Sequence, residues 1–188
     1  FPTRRSSDLT QALDCDDLLF VDKQIFVYIL THCLTAHEDS YWRAICLACK
    51  EFDIIDRSEF SIFLSLVAAG SNSMHSREEN IKWSSSYNNR VDLGNDLGTN
   101  YGILYRGRGL IHIKGYNEYK EFAERINLDI IKAPHLINSS AITEARAAAM
   151  CWKKHNLKEL ADHTWPNLKK IILRTFKSYT GLEQLLGY

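Results

Sequence analysis

Proline is scarce in this chain, three in 188 residues, and no stretch rich in proline or glycine divides it. The usual marks of a linker are therefore missing, and residues 10–188 read as one domain. Long apolar runs are missing too. None approaches the roughly 18 residues a membrane-spanning helix needs, so no membrane partner is expected. Net charge is absent, since 23 Lys and Arg balance 23 Asp and Glu. A global pull toward nucleic acid is thereby excluded, and no nucleic-acid partner is expected. The five cysteines are an odd count, which argues against a complete internal disulfide framework. Cys46 and Cys49 form a C-x-x-C without a second pair. They lie among Trp42, Ile45 and Phe52 at helical spacing, so a core role is expected rather than zinc or redox chemistry. Residues 1–9 lack an initiator Met and read as translated adaptor sequence, which sets them apart from the fold. No signal peptide is visible, and the expectation is a bacterial or phage-derived protein made in the cytoplasm.

What remains is a chain with enough apolar content, 45%, to bury a core. Its charge is unevenly distributed. Ten acids face four bases between Asp14 and Glu59, and seven bases face two acids between Lys153 and Lys177. The basic C-terminal stretch could attract an anionic polymer; a solvated helix face is the plainer reading. The apolar periodicity predicts helices over 24–34 and over about 40–52. A third begins after the D-x-x-E pair Asp56 and Glu59 and stops near Gly70. Asn117 is placed to cap a helix carrying Tyr119, Phe122 and Ile126. Ser140 is placed to cap an Ala-rich helix over 141–155, with Glu144 near its positive end. A last amphipathic helix follows Asn167, and Gly181 punctuates it. Between these, residues 71–104 are polar and rich in turn signals, a length of loop that a compact domain usually keeps for function. The fold class is mainly α.

The densest motif is Tyr105-Arg106-Gly107-Arg108-Gly109-Leu110-Ile111-His112-Ile113-Lys114-Gly115. It resembles the signature of glycoside hydrolase family 19, the chitinases and phage endolysins that cut β-1,4-linked amino-sugar polymers. The resemblance runs in order over about 40–188. Phe63-Leu64 and Val67-Ala68 resemble the helix leading to the family's His-Glu-Ser-Gly-Gly motif. Glu78-Glu79-Asn80 resembles its second carboxylate motif, Tyr87 to Gly94 its Tyr-x-Asn-Arg segment, and Trp152-Lys153 a pair in a later helix. The family resemblance implies a lysozyme-like domain with two helical lobes flanking a sugar-binding cleft. It also implies inverting hydrolysis, in which a carboxylic acid protonates the leaving oxygen and a carboxylate about 6.5–9.5 Å away activates water.

Carried over residue by residue, the resemblance places the general base on Glu79, with Glu78 beside it. The general acid falls on Gly70, which has no proton to give, and the preceding His falls on Ala69. The family's Gln becomes His112, its water-holding Ser or Thr becomes Lys114, an Asn becomes Glu118 and a later Asn becomes Phe176. Tyr105, Arg106, Arg108 and Tyr119 keep the framework. Read as residues alone, Arg106 and Arg108 suit bidentate pairing to Glu78 or Glu79, and Lys114 with Glu118 suits a local ion pair.

Three functions compete. The first is a domain of this type that binds glycan, peptidoglycan ahead of chitin, or a protein partner, with hydrolysis impaired. The second is an active wall hydrolase with its acid relocated to Glu78 or Glu118. The third is an interaction module using the basic C-terminal stretch. No cofactor and no metal site is expected; the glycine-arginine run lacks the Lys-Ser/Thr of a phosphate loop.

Overall fold

Tyr41, Trp42, Ile45, Cys46, Ala48 and Cys49 recur at three- and four-residue spacing, and this stripe is buried along the first helix of the computed structural model. The structure describes residues 38–72 and 74–176. Helix α1 is Glu38–Glu51 and α2 is Arg57–Gly70. Two one-turn helices follow, α3 (Ile81–Ser84) and α4 (Tyr101–Leu104), and then α5 (Tyr116–Ile126), α6 (Ala141–Lys154) and α7 (Trp165–Phe176). Short 3-10 turns at Ser85–Tyr87, Val91–Leu93, Pro134–Ser139 and Leu157–Leu160 join them. Among the described residues there is no strand, only two isolated antiparallel bridges, Glu78 to Arg108 and Arg108 to Ile113. The mainly helical expectation holds. The helix expected over 24–34 and the stop at Gly181 lie outside the described residues.

The core is built where α1, α2 and α6 meet. Trp42 packs edge-on against Phe60, and Phe63 edge-on against Trp152, which ties α2 to both neighbours. Alanines at 145, 147, 148 and 149 are all buried and let α6 lie close to α1. Cys46, Cys49 and Cys151 are buried within this core. Burial pushes the Cys49 thiol well above its ordinary value, which suits packing and not nucleophilic chemistry.

The helix starts repeat the predicted chemistry with three exceptions. Asp56 accepts from the backbone N–H groups of Ser58 and Glu59, and Ser140 accepts from that of Thr143. The first exception is Glu59. It does not close a capping box; its buried carboxylate accepts from the Trp152 indole at 2.7 Å, a link across the core. The second is Asn117, which lies inside α5. Gly115 holds the N-cap position, and the Glu118 carboxylate reaches back to the Lys114 backbone N–H at 2.9 Å. The last helix begins at Trp165, earlier than expected. Its entry is shaped by Asp162, which accepts from the Thr164 backbone and hydroxyl.

A second polar link anchors the middle segment. Glu144 on α6 is fully buried and accepts from Tyr41 of α1 at 3.0 Å and from Arg77 at 3.1 Å. The Arg77 backbone carbonyl in turn accepts from Gly109 and from the Asn138 side chain. Desolvation raises the Glu144 pKa from its ordinary value, against the opposing pull of Arg77 and Tyr41. A raised carboxyl stabilises the fold fully below its unfolded value, and that contribution is lost as pH rises through the folded value. Glu144→Gln should therefore flatten the stability profile. From about pH 4.5 upward, wild type should lose stability relative to the variant in urea titrations taken at successive pH values.

Candidate active site

Residues 77–79 run antiparallel to 107–109, and this crossing positions every polar group the sequence singles out. Glu79 donates its backbone N–H to the Gly107 carbonyl at 2.9 Å, and Gly109 donates to the Arg77 carbonyl at 2.9 Å. The approach at Gly107 is so close that a Cβ there would lie 2.5 Å from the Glu79 carboxyl carbon. Gly107 is thus required by contact, and it also donates its N–H to Glu79 Oε2 at 3.1 Å.

Glu78 is the anchor of this crossing. Its Oε1 accepts from Arg106 at 2.8 Å and from Arg108 at 2.6 Å. Arg108 is 4% exposed and continues inward, donating to the Leu104 carbonyl and to the Tyr119 hydroxyl. Tyr119 passes its own proton to the Arg106 carbonyl at 2.7 Å. Tyr105 packs edge-on against Tyr101, Tyr116 and Tyr119 and donates to the Ile131 carbonyl. The two arginines pair with Glu78, one of the two carboxylates their spacing allowed.

Glu79 has different company. Lys114 Nζ lies 2.5 Å from its Oε1, the Tyr87 hydroxyl 3.5 Å and His112 Nδ1 3.9 Å. The local Lys114–Glu118 ion pair expected from their spacing is not formed. The ammonium turns to Glu79, and Glu118 accepts from the Lys114 backbone N–H. Lys114 is 5% exposed and its ammonium also lies 4.9 Å from the centre of the Tyr87 ring. Burial works against its charge, yet Glu79 and Tyr87 raise its pKa, so it is a lasting cation. His112 occupies the left-handed region at φ 54°, which turns its ring out of the apolar run Leu110, Ile111 and Ile113. The ring meets the Ser76 carbonyl at 3.1 Å. Burial lowers its pKa, Glu79 opposes that and Lys114 adds to it.

Gly70, where the resemblance would put the general acid, is closely packed. A Cβ on Gly70 would stand 2.8 Å from the Leu110 carbonyl oxygen, 2.9 Å from Ile111 Cα and 3.1 Å from the Phe176 ring. Two altered positions far apart in sequence, Gly70 and Phe176, are thus neighbours. The two proposed substitute acids are both engaged. Glu78 is shared by two guanidiniums, and Glu118 is 8% exposed, holds the start of α5 and faces His155 at 3.6 Å. The basic C-terminal stretch is partly neutralised, by Lys153 to Asp53, Lys154 to Glu121 and Lys158 to Glu59. No cluster of metal-ligating side chains occurs among the described residues. Three contributors escaped the sequence reading: Tyr87, seen only as part of a segment, Gly107 as a contact glycine, and Arg77 with its link to Glu144.

Two changes probe this geometry. Lys114→Met removes a cation beside His112 and leaves Glu79 unopposed, so the His112 pKa should rise; an NMR titration of the His112 ring protons reads it. Gly70→Ala should destabilise the fold by about 1–3 kcal/mol, the usual cost of forcing atoms into a filled site, measured by chemical denaturation.

No protein-family model matches the chain, and no curated protein matches it. Solved structures do. A bacterial family 19 chitinase, described for its differences from the plant enzymes, superposes with a TM-score of 0.55 at 18% identity, covering 70% of this chain and 67% of its own. A chitinase C bearing a Glu-to-Gln substitution superposes with a TM-score of 0.58 at 14% identity, covering 89% and 76%. At these identities the likeness is one of fold, and the chain has the lysozyme-like helical fold of family 19 chitinases.

Proposed function

We propose that this protein binds β-1,4-linked amino-sugar polymers at the face carrying Glu79, Tyr87 and His112, and that its hydrolytic capacity is largely lost. The fold neighbours are named as chitinases, which supports a glycan ligand. The observation that carries the loss is the Lys114–Glu79 pair. A general base must hold a water on its free oxygen. Here an ammonium sits at hydrogen-bond distance from Glu79 Oε1, and the other oxygen accepts from Gly107. The base is thus occupied from both sides. The acid's place is glycine, packed against Leu110, Ile111 and Phe176. General acid–base assistance contributes roughly 10²–10⁴-fold in rate, so a site short of both partners turns over little.

The charge balance bears on the ligand. Arg106, Arg108 and Lys114 face two carboxylates, Glu78 and Glu79. One surplus cation favours a polymer that carries acid groups, peptidoglycan ahead of chitin. The test is turnover and binding on peptidoglycan and chitin oligomers. The unaltered protein should bind without cutting. Ala69→His with Gly70→Glu should stay inactive, because the new carboxyl has no room. Adding Phe176→Asn and Lys114→Ser should free Glu79 yet still give no cleavage, because the Leu110 and Ile111 backbones continue to crowd residue 70. Turnover by the unaltered protein that Glu79→Gln abolishes would sink the reading.

A further inference from the structure

The surface beside Glu79 is unusual in what it leaves in water. Nine large apolar side chains are exposed among the described residues, and five of them lie between Ile81 and Leu104: Ile81, Trp83, Val91, Leu97 and Leu104. Trp83 is the most exposed of all, at 76%. It sits on α3, which Asn80 caps directly after Glu79. Helix α4 packs tightly on this layer, since a Cβ at Gly102 would meet the backbones of Ser84, Tyr87 and Asn88. The exposed apolar groups of α3 and α4 therefore ride on one support that continues from Glu79.

The polar groups of this layer are of one kind. Between Asn80 and Leu104 there are five Asn, three Ser, one Thr and two Tyr against four charged residues, of which Arg90 and Asp92 neutralise each other. The side-chain oxygens of Asn80 and Asn89 accept from the backbones of Lys82 and Gly98, which leaves their exposed NH₂ groups as outward donors. An exposed aromatic ring among amides and hydroxyls, with little charge, is the chemistry of adaptable recognition of a neutral polyol. A pyranose fits it. One sugar face is a sheet of C–H groups that stacks on an aromatic ring, and the rim is hydroxyl and acetamido groups that take amide hydrogen bonds. The two remaining charges, Lys82 and Asp96, are of opposite sign, so the layer offers a charged partner no net charge.

We infer that Trp83, with Asn80 three residues before it at the cap of the same helix, is a platform for one sugar ring of the polymer, extending the Glu79 site along α3. The inference rests on the glycan-binding reading of that site. Aromatic anchors of this kind dominate binding, so Trp83→Ala should weaken oligosaccharide binding roughly tenfold or more.

The experiment uses chitotetraose and the peptidoglycan tetrasaccharide as probes on the full chain. Four tryptophans give four indole N–H signals, and Trp83→Phe identifies the one that matters. Either sugar should shift the Trp83 signal and leave that of Trp165 unmoved, and Trp83→Ala should raise the Kd while thermal denaturation stays as in wild type. Binding of equal strength in wild type and Trp83→Ala, with the Trp83 signal still, would overturn the platform and leave the Glu79 reading standing. Failure of both sugars to bind wild type would overturn both. A Trp83 signal that moves with protein concentration alone would assign the patch to a second copy of this chain and overturn the platform.

Discussion

The carboxylate of Glu78, shared between the guanidiniums of Arg106 and Arg108, is the contact on which the rest of the site depends. It joins two segments 30 residues apart and does so without a sheet. Only isolated bridges run between them, so side chains must do the work that a strand ladder would otherwise do. Arg108 is buried, and a buried guanidinium is tolerable only with its donors satisfied. Glu78, the Leu104 carbonyl and the Tyr119 hydroxyl supply that, and Tyr119 in turn fixes the Arg106 carbonyl. The network closes on itself. Glu79 is placed as its by-product, because the residue after Glu78 must then lie against Gly107.

The same crossing explains which sequence signals were readable. The arginine-glycine alternation of 105–109 announced a loop that ties carboxylates, and it does. The helix stripes of 41–52 and 57–70 were readable because burial on one face repeats every three to four residues. Lys114 was misjudged for the opposite reason. Its spacing to Glu118 is local, whereas its partner Glu79 lies 35 residues away and reaches it only through the crossing. A long-range ion pair leaves no periodic trace. Glu144 was read as a charge at a helix start, and its burial against Tyr41 and Arg77 follows from the packing of α6 on α1, which a single helix pattern does not carry. Gly107 looked like one glycine among several. That it bears on Glu79 is a matter of a few tenths of an ångström.

Adjacent carboxylates thus meet different fates under one set of constraints. Glu78 is satisfied by two arginines that the framework keeps. Glu79 is one-sixth exposed and would be costly to leave charged and unpaired beside His112 and Tyr87. In an acid–base site, that cost is offset by keeping the group hydrated and opposite a second carboxyl. Gly70, packed against the Leu110 carbonyl, carries no carboxyl. Lys114 supplies the charge partner, and the local fold gains a largely buried ion pair.

This order of events has a physical consequence for how the substitutions hang together. Lys114 is tolerated because Glu79 is there to neutralise it. Glu79 in turn is the partner of Lys114, Gly107 and Tyr87. Likewise the Phe176 ring has room only while residue 70 lacks a side chain. Each altered residue therefore rests on another, and reversing one alone leaves a buried charge unpaired or a clash unrelieved. A fold in this condition holds its shape against single changes within the network, while Trp83 and the side chain of Asn80 stand exposed outside it.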